Sequence, residues 1–389
     1  MTKIVSENVD TMSKSRIESR NSNIDLLKII ALLLIVLSHS IPYDSYFSGY
    51  DSFIDITLSV SDFRYLLLVF FRYLGQIGNV IFIICSSYYL VKEDGKPKVS
   101  KVINIILDSF IISVISLLFA LIFKINMTTF DIIHYVFPII FRMNWFIGCY
   151  LMLYVFHGLF NIIIFKLDKR KLFLLIFILF IMYFILSIIV DSFYYTAFVG
   201  FVCLYFFVGF MKNYKYHIVT NKKINLFTFI ISFVLYFSSI IFINYAGLKI
   251  SIFSNRNLIL CSINNPFGVV LCFSLFSIFL SMKERNNKLI SLVSSVSLFV
   301  YLIHANKILF NYVYPNIFDY FYPWFSGENR FIFSLIFAFI IFNASIIISI
   351  IYKYSIERIT YYISKKISVI VKDLLEIVYL FFEFISKEK

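Results

Sequence analysis

The sequence predicts an all-α, polytopic transmembrane bundle of about ten helices, with both termini cytoplasmic. Three observations carry this. The 389-residue chain is 61% hydrophobic with a mean hydropathy of +0.89. Its charged residues, only 15% of the total, sit in short gaps between apolar runs of span length. The basic residues concentrate in alternate gaps.

The runs fall at about 24–41, 66–91, 102–123, 145–165, 171–190, 194–211, 224–246, 266–282, 289–313 and 331–352. Each approaches the roughly twenty residues needed to cross the hydrocarbon core as a helix, which satisfies its own backbone polar groups in lipid. Barrel strands would show short alternating segments, which are absent from the pattern. The net charge of +13 could suggest a nucleic-acid partner, but its distribution argues against one. The gaps holding Lys3 to Arg20, Lys92 to Lys101, Lys166 to Lys171, Lys212 to Lys223, Lys283 to Lys288 and Lys353 to Lys389 collect most of the 35 basic residues. The first opposite gap carries Asp44, Asp51, Asp55 and Asp62 instead. This is the positive-inside pattern, so the basic excess reports topology and no nucleic acid is expected.

One membrane domain is expected over 24–352, preceded by a cytoplasmic tail (1–23) and followed by a basic tail (353–389). The first 23 residues are polar and no cleavage site follows the first apolar run, so the N-terminus is expected to stay inside. Segment 130–144 is too short and polar to span, and fits a re-entrant or interfacial piece. Segment 314–330 is aromatic (Tyr314, Tyr320, Tyr322, Trp324) and fits an interface. Over 356–386, Ile359, Ile363, Ile367, Ile370, Val371 and Leu374 recur at helical spacing among charges, as in an amphipathic helix on the inner leaflet. The five cysteines (85, 149, 203, 261, 272) lack metal-binding spacing and read as small buried residues, and no metal is expected.

Polar groups inside spans are costly and mark candidate sites. In span one, Asp25 and Lys28 are three residues apart and share a helix face. His39 lies eleven residues beyond Lys28, about three turns and roughly 16 Å along the axis, and returns to that face. An imidazole can act as general base or transient acyl carrier, and a lysine near the inner surface can meet phosphate. The plainer alternatives are a juxtamembrane pair that sets helix depth for Asp25 and Lys28, and a residue that marks the helix exit for His39.

Span two presents Arg72, Gln76, Asn79 and Ser86 on one face, with Arg72 at the outer level of His39. Arg142 and Trp145 open span four from the same side, where Trp145 could stack on a sugar or anchor the interface. Ser294, Ser297, Tyr301 and His304 form a stripe in span nine, with His304 near the depth of His39. Helix-to-helix hydrogen bonding is the alternative for the serines. His157 reads as a packed core residue, and His134 and His217 as loop residues.

Asp25, Lys28 and His39 in this frame resemble the first-helix signature of the acyltransferase family 3 membrane proteins, whose basic residue is usually Arg. GNVIFIICSSYYL (78–90) is similar to that family's second-helix stretch, with Ser87 in a glycine's place. WFIGCYLMLYVFHGLFN (145–161) resembles its Trp-led fourth helix, with His157-Gly158 where Ser-Pro is frequent. LYFFVGFMKNY (204–214) and LISLVSSVSLFVYLIHANKILF (289–310) resemble later stretches, the second carrying Tyr301-Leu302-x-His304. The resemblance implies an integral-membrane O-acyltransferase of the cell membrane. It further implies that an acyl group, most simply acetyl, moves from cytoplasmic acetyl-CoA or another acyl-CoA to a hydroxyl of a surface polysaccharide or glycolipid. It assigns His39, Asp25 and Lys28 to catalysis; Arg72, Gln76, Asn79, Arg142, Trp145, Tyr301 and His304 are the expected substrate-binding residues. Acyl-CoA enters as substrate, with no bound cofactor, and lipid and the glycan acceptor are the expected partners. A glycolipid flippase or exporter, or a degenerate sensor or scaffold, are the competing readings; the exporter would be expected to show repeats or broken helices.

Overall fold

The computed structural model describes residues 21–40, 63–93, 95–141, 143–186, 197–214, 220–250, 265–321 and 329–371. Among these every regular element is helical. In chain order they are α1 (Ser22–Ser40), α2 (Phe63–Leu90), α3 (Val99–Ile122), α4 (Thr129–Val136), α5 (Trp145–Lys166), α6 (Lys169–Phe180), α7 (Ala197–Tyr214), α8 (Lys222–Lys249), α9 (Pro266–Leu280), α10 (Lys288–Ser295), α11 (Ser297–His304), α12 (Tyr314–Phe321), α13 (Asn329–Ser355) and α14 (357–371). Five-residue π-helical turns follow α6 (Ile181–Ile185) and precede α12 (Leu309–Val313).

Short polar residues set the helix starts by accepting the first free backbone N–H groups. Asn221 opens α8, and Asn287 opens α10 through Leu289 and Ile290. Asn265 accepts from Phe267 and Gly268 ahead of Pro266, whose fixed φ suits the first helical position. Asp168 opens α6, and Thr128 with Asp131 forms a reciprocal capping box on α4.

Among the described residues, seven helices are long and apolar enough to cross a membrane: α1, residues 73–90 of α2, α3, α5, α7, most of α8 and α13. This is a multi-pass membrane protein. The other three expected spans are helical but shorter or interrupted. The described part of 171–190 passes through a π turn, α9 has 15 residues, and 289–313 is divided. The expected continuous ninth span instead breaks at Val296, between α10 and α11, and again after His304. The serines explain the first break: Ser295 Oγ–H donates to the Leu292 carbonyl, while Ser294 is drawn to another helix. Such side chains compete for helix carbonyls and loosen the ladder.

The bundle is apolar outside and carries its polar groups inside, as bilayer solvation requires. On α8, Leu226, Phe227, Ile230, Phe233 and Val234 are exposed while Asn225, Ser232, Tyr236 and Ser239 are buried. Because lipid supplies little hydrophobic drive between helices, close contact depends on small residues. A Cβ on Gly78 would lie 2.4 Å from the Ala31 carbonyl oxygen, and one on Gly75 would lie 2.0 Å from Ser38 Oγ. These two glycines let α1 and α2 pack antiparallel along most of α1.

Hydrogen bonds stitch the basic segments together at one end of the bundle. Ser22 N–H donates to Arg285 O at 3.0 Å, and Asn23 Nδ2 to Lys283 O at 3.0 Å. Asn161 Nδ2 reaches Leu90 O at 3.1 Å while its Oδ1 accepts from Tyr205 at 2.7 Å. Lys212 Nζ donates to Val91 O at 2.7 Å, capping the end of α2. The expectations for 1–20, the acidic segment near 42–62, Trp324, His217, Cys261 and the chain beyond 371 lie outside the described residues.

Candidate functional site

Helix α1 is the axis of the site. It runs parallel to the broken α10–α11 pair and in register with it. Near its start Ser22 Oγ accepts from Asn287 N–H at 2.7 Å. One turn on, Asp25 Oδ1 accepts from Ser294 Oγ–H at 2.8 Å. At the far end the rings of His39 and His304 lie 5.3 Å apart, inclined by 30°. The depth match expected between the two histidines becomes direct ring contact.

The two ends differ chemically. At the basic end, Asp25 is fully buried and Lys28 is 7% exposed. Lys28 Nζ sits over the ring of Tyr89, 4.9 Å from its centroid. A ring face attracts a compact ammonium, so this position suits Lys as well as Arg. Tyr89 escaped the sequence reading because nothing separates it from its neighbour Tyr88 until α2 is docked on α1.

At the other end, His304 Nδ1 donates to the Val300 carbonyl at 2.7 Å. A carbonyl only accepts, so Nδ1 carries a proton, and in the neutral ring Nε2 carries the lone pair. Nε2 is buried, and meets no hydrogen-bond partner among the described residues. Tyr301 stands edge-on to His304 with centroids 5.6 Å apart. Phe310, from the π turn, stands edge-on to His39 at 5.8 Å. Phe310 could not be found from periodicity, because the expected continuous span would not have turned it back onto His39.

The remaining candidates divide. Phe146 packs 5.1 Å from Tyr301 and also touches Trp145, so Trp145 joins the histidines through a chain of rings. Trp145 itself is 39% exposed at the start of α5. Gln76 and Asn79 bond to each other, Nδ2 of Asn79 to Oε1 of Gln76 at 3.4 Å, and Asn79 Oδ1 is buried without a partner among the described residues. They lie on α2 next to Gly75 and Gly78, against the middle and far end of α1. The Arg72 side chain and the whole of Arg142 lie outside the described residues. His157 is packed in α5 with Nδ1 against the Tyr154 carbonyl.

A buried carboxyl group lies apart from this site. Asp108 on α3 is fully buried and accepts from Tyr352 at 2.9 Å, Thr360 at 2.8 Å and Asn104 at 2.7 Å. It ties the last span and α14 to α3. Burial, then the charge of Asp108, raise the nearby Glu357 carboxyl to about 7 against the opposing pull of Lys353.

No curated protein and no solved structure matches this chain. A family model described as an acyltransferase domain matches residues 21–354, from the residue before α1 almost to the end of α13. The matched stretch includes both histidines, Asp25 and Lys28 and covers most of the chain, which therefore belongs to the acyltransferase family 3.

Proposed function

We propose that this protein is an O-acyltransferase that moves an acyl group, most simply acetyl, from cytoplasmic acyl-CoA to a hydroxyl of a surface polysaccharide or glycolipid. One observation carries the reading. A pair of imidazoles in ring contact closes one end of α1, while a buried carboxylate and ammonium occupy the other. The gathered basic segments give the second end a face suited to the phosphates of CoA, and the positive-inside rule orients that face to the cytoplasm. His39 acts on the acyl transfer itself, as general base or as acyl carrier. Asp25 and Lys28 organise the donor end. Tyr301, His304, Trp145, Gln76 and Asn79 line the approach of the acceptor, with Arg72 and Arg142 carried at the same level by the sequence pattern.

An exporter reading has one observation in its favour, the interrupted helix at Val296. An exporter needs no acyl donor, so acetyl-CoA binding to the purified protein separates the two. The reaction is tested by comparing ester groups on surface glycans of cells with the wild-type protein, without it, and with His39→Ala. The esters are expected only with the wild type. Unchanged esters with His39→Ala overturn the assignment.

A further inference from the structure

We propose that His304 is a second catalytic residue, the base that takes the proton of the acceptor hydroxyl while His39 carries the acyl group. This rests on the acyl-transfer reading above and divides the labour between the two rings.

The geometry supplies both halves of the argument. If His39 attacks the thioester through a ring nitrogen, the C–S bond breaks and CoA leaves as thiolate. The product is an acyl-imidazolium, with the acyl group on one nitrogen and a proton on the other. That ring has no lone pair left to deprotonate the incoming hydroxyl, so acceptor attack needs another base. His304 is 5.3 Å away between centroids, and the Nδ1–H donated to Val300 O sets the tautomer of its neutral ring. The remaining Nε2 lone pair is buried without a partner among the described residues, in a ring that is only 1% exposed. A buried acceptor left unsatisfied is costly in a packed interior, and a donor supplied by substrate would satisfy it.

The step then balances. The acceptor oxygen bonds to the acyl carbon as its proton passes to His304 Nε2. The C–N bond to His39 breaks and returns a neutral imidazole. The His304 imidazolium passes its proton to the CoA thiolate, leaving ester and CoA thiol. Tyr301, edge-on to His304, and Val300 O hold the ring during this exchange.

The experiment uses the full-length protein in proteoliposomes with acetyl-CoA radiolabelled in the acetyl group. Water, and in parallel dodecyl maltoside, supply the accepting hydroxyl. Wild type, His39→Ala, His304→Ala and His304→Gln are compared for CoA release in the first turnover and for the lifetime of protein-bound label. Both His304 variants are expected to release one equivalent of CoA and to hold the label about 100-fold longer or more, the scale of a lost general base. Added imidazole is expected to shorten that lifetime in His304→Ala. Label decay at the wild-type rate in the His304 variants, or CoA release without label retention, overturns the proposal. His304→Gln keeps a side chain of similar reach in place, so a packing defect confined to His304→Ala shows as a difference between the two. Wild-type labelling and transfer in His39→Ala would instead overturn the underlying site assignment, whatever the His304 variants do.

Discussion

Ser294 and Asp25, 269 residues apart in sequence, meet in a 2.8 Å hydrogen bond that joins α10 to the start of α1. The bond places a charged-residue candidate against the helix whose far end carries His304. It makes one unit of α1 and the interrupted helix, with Asp25 and Lys28 at one end and the histidine pair at the other.

Removing the donor isolates the role of that bond. Ser294→Ala leaves a fully buried carboxylate short of one hydrogen bond, at a cost of about 1.5–3 kcal/mol. Ser294→Thr retains the hydroxyl and is expected to recover most of the loss. Thermal unfolding in detergent and steady-state acyl transfer measure both. Equal stability and activity of Ser294→Ala and wild type would dismiss the bond as incidental.

The approach of α1 and α2 has little slack. Gly78→Val places carbon where the Ala31 carbonyl already stands and is expected to destabilise the fold by about 1–3 kcal/mol through overpacking. Because Gly78 lies between the levels of Lys28 and His39, activity is expected to fall with it. Gly148→Ala, where a Cβ meets nothing within 4 Å, serves as the control and is expected to be neutral.

Glu357 gives the protein a pH dependence at the α13–α14 junction. Its folded value of about 7 lies above the ordinary value of 4.5, so the fold favours the protonated carboxyl. That contribution is full below about pH 4.5 and is lost as pH rises through 7. Discounted for partial solvent screening, it amounts to roughly 1–2 kcal/mol. Wild-type melting temperature is expected to fall by a few degrees between pH 5 and 8, while Glu357→Gln stays flat. A wild type as flat as the variant would contradict the burial of this carboxyl.

Phe310 covers His39 from the π turn after α11. On the acyl-transfer reading proposed above, acceptor reaches the imidazoles at this end of α1, so Phe310→Ala is expected to change KM for acceptor several-fold more than KM for acyl-CoA. An effect confined to the acyl-CoA KM would place Phe310 on the donor route instead.

Much of this was legible in the sequence, and the remainder was not for identifiable reasons. Span length and charge placement depend on local composition, so the helical segments and the basic faces could be read directly. Asp25, Lys28 and His39 could be read because their spacing lies within one helix. Phe310, Tyr89 and the Ser294–Asp25 bond depend on how one helix docks on another, which periodicity does not encode. The break at Val296 was hidden because valine and serine do not interrupt an apolar run; the interruption comes from hydrogen bonds of Ser294 and Ser295 seen only in the fold. Asp108 was passed over as a single acid within an apolar span, although its three donors arrive from α3, α13 and α14.

The central claim is that the imidazole at the end of α1 performs acyl transfer. The most direct measurement is transfer of radiolabel from acetyl-CoA to the glycolipid and glycan fraction of source membranes by purified protein in proteoliposomes. Wild type is expected to transfer the label, and His39→Ala, inserted and folded to the same extent, is expected to transfer at least 100-fold less. Transfer by His39→Ala at the wild-type rate would contradict the account.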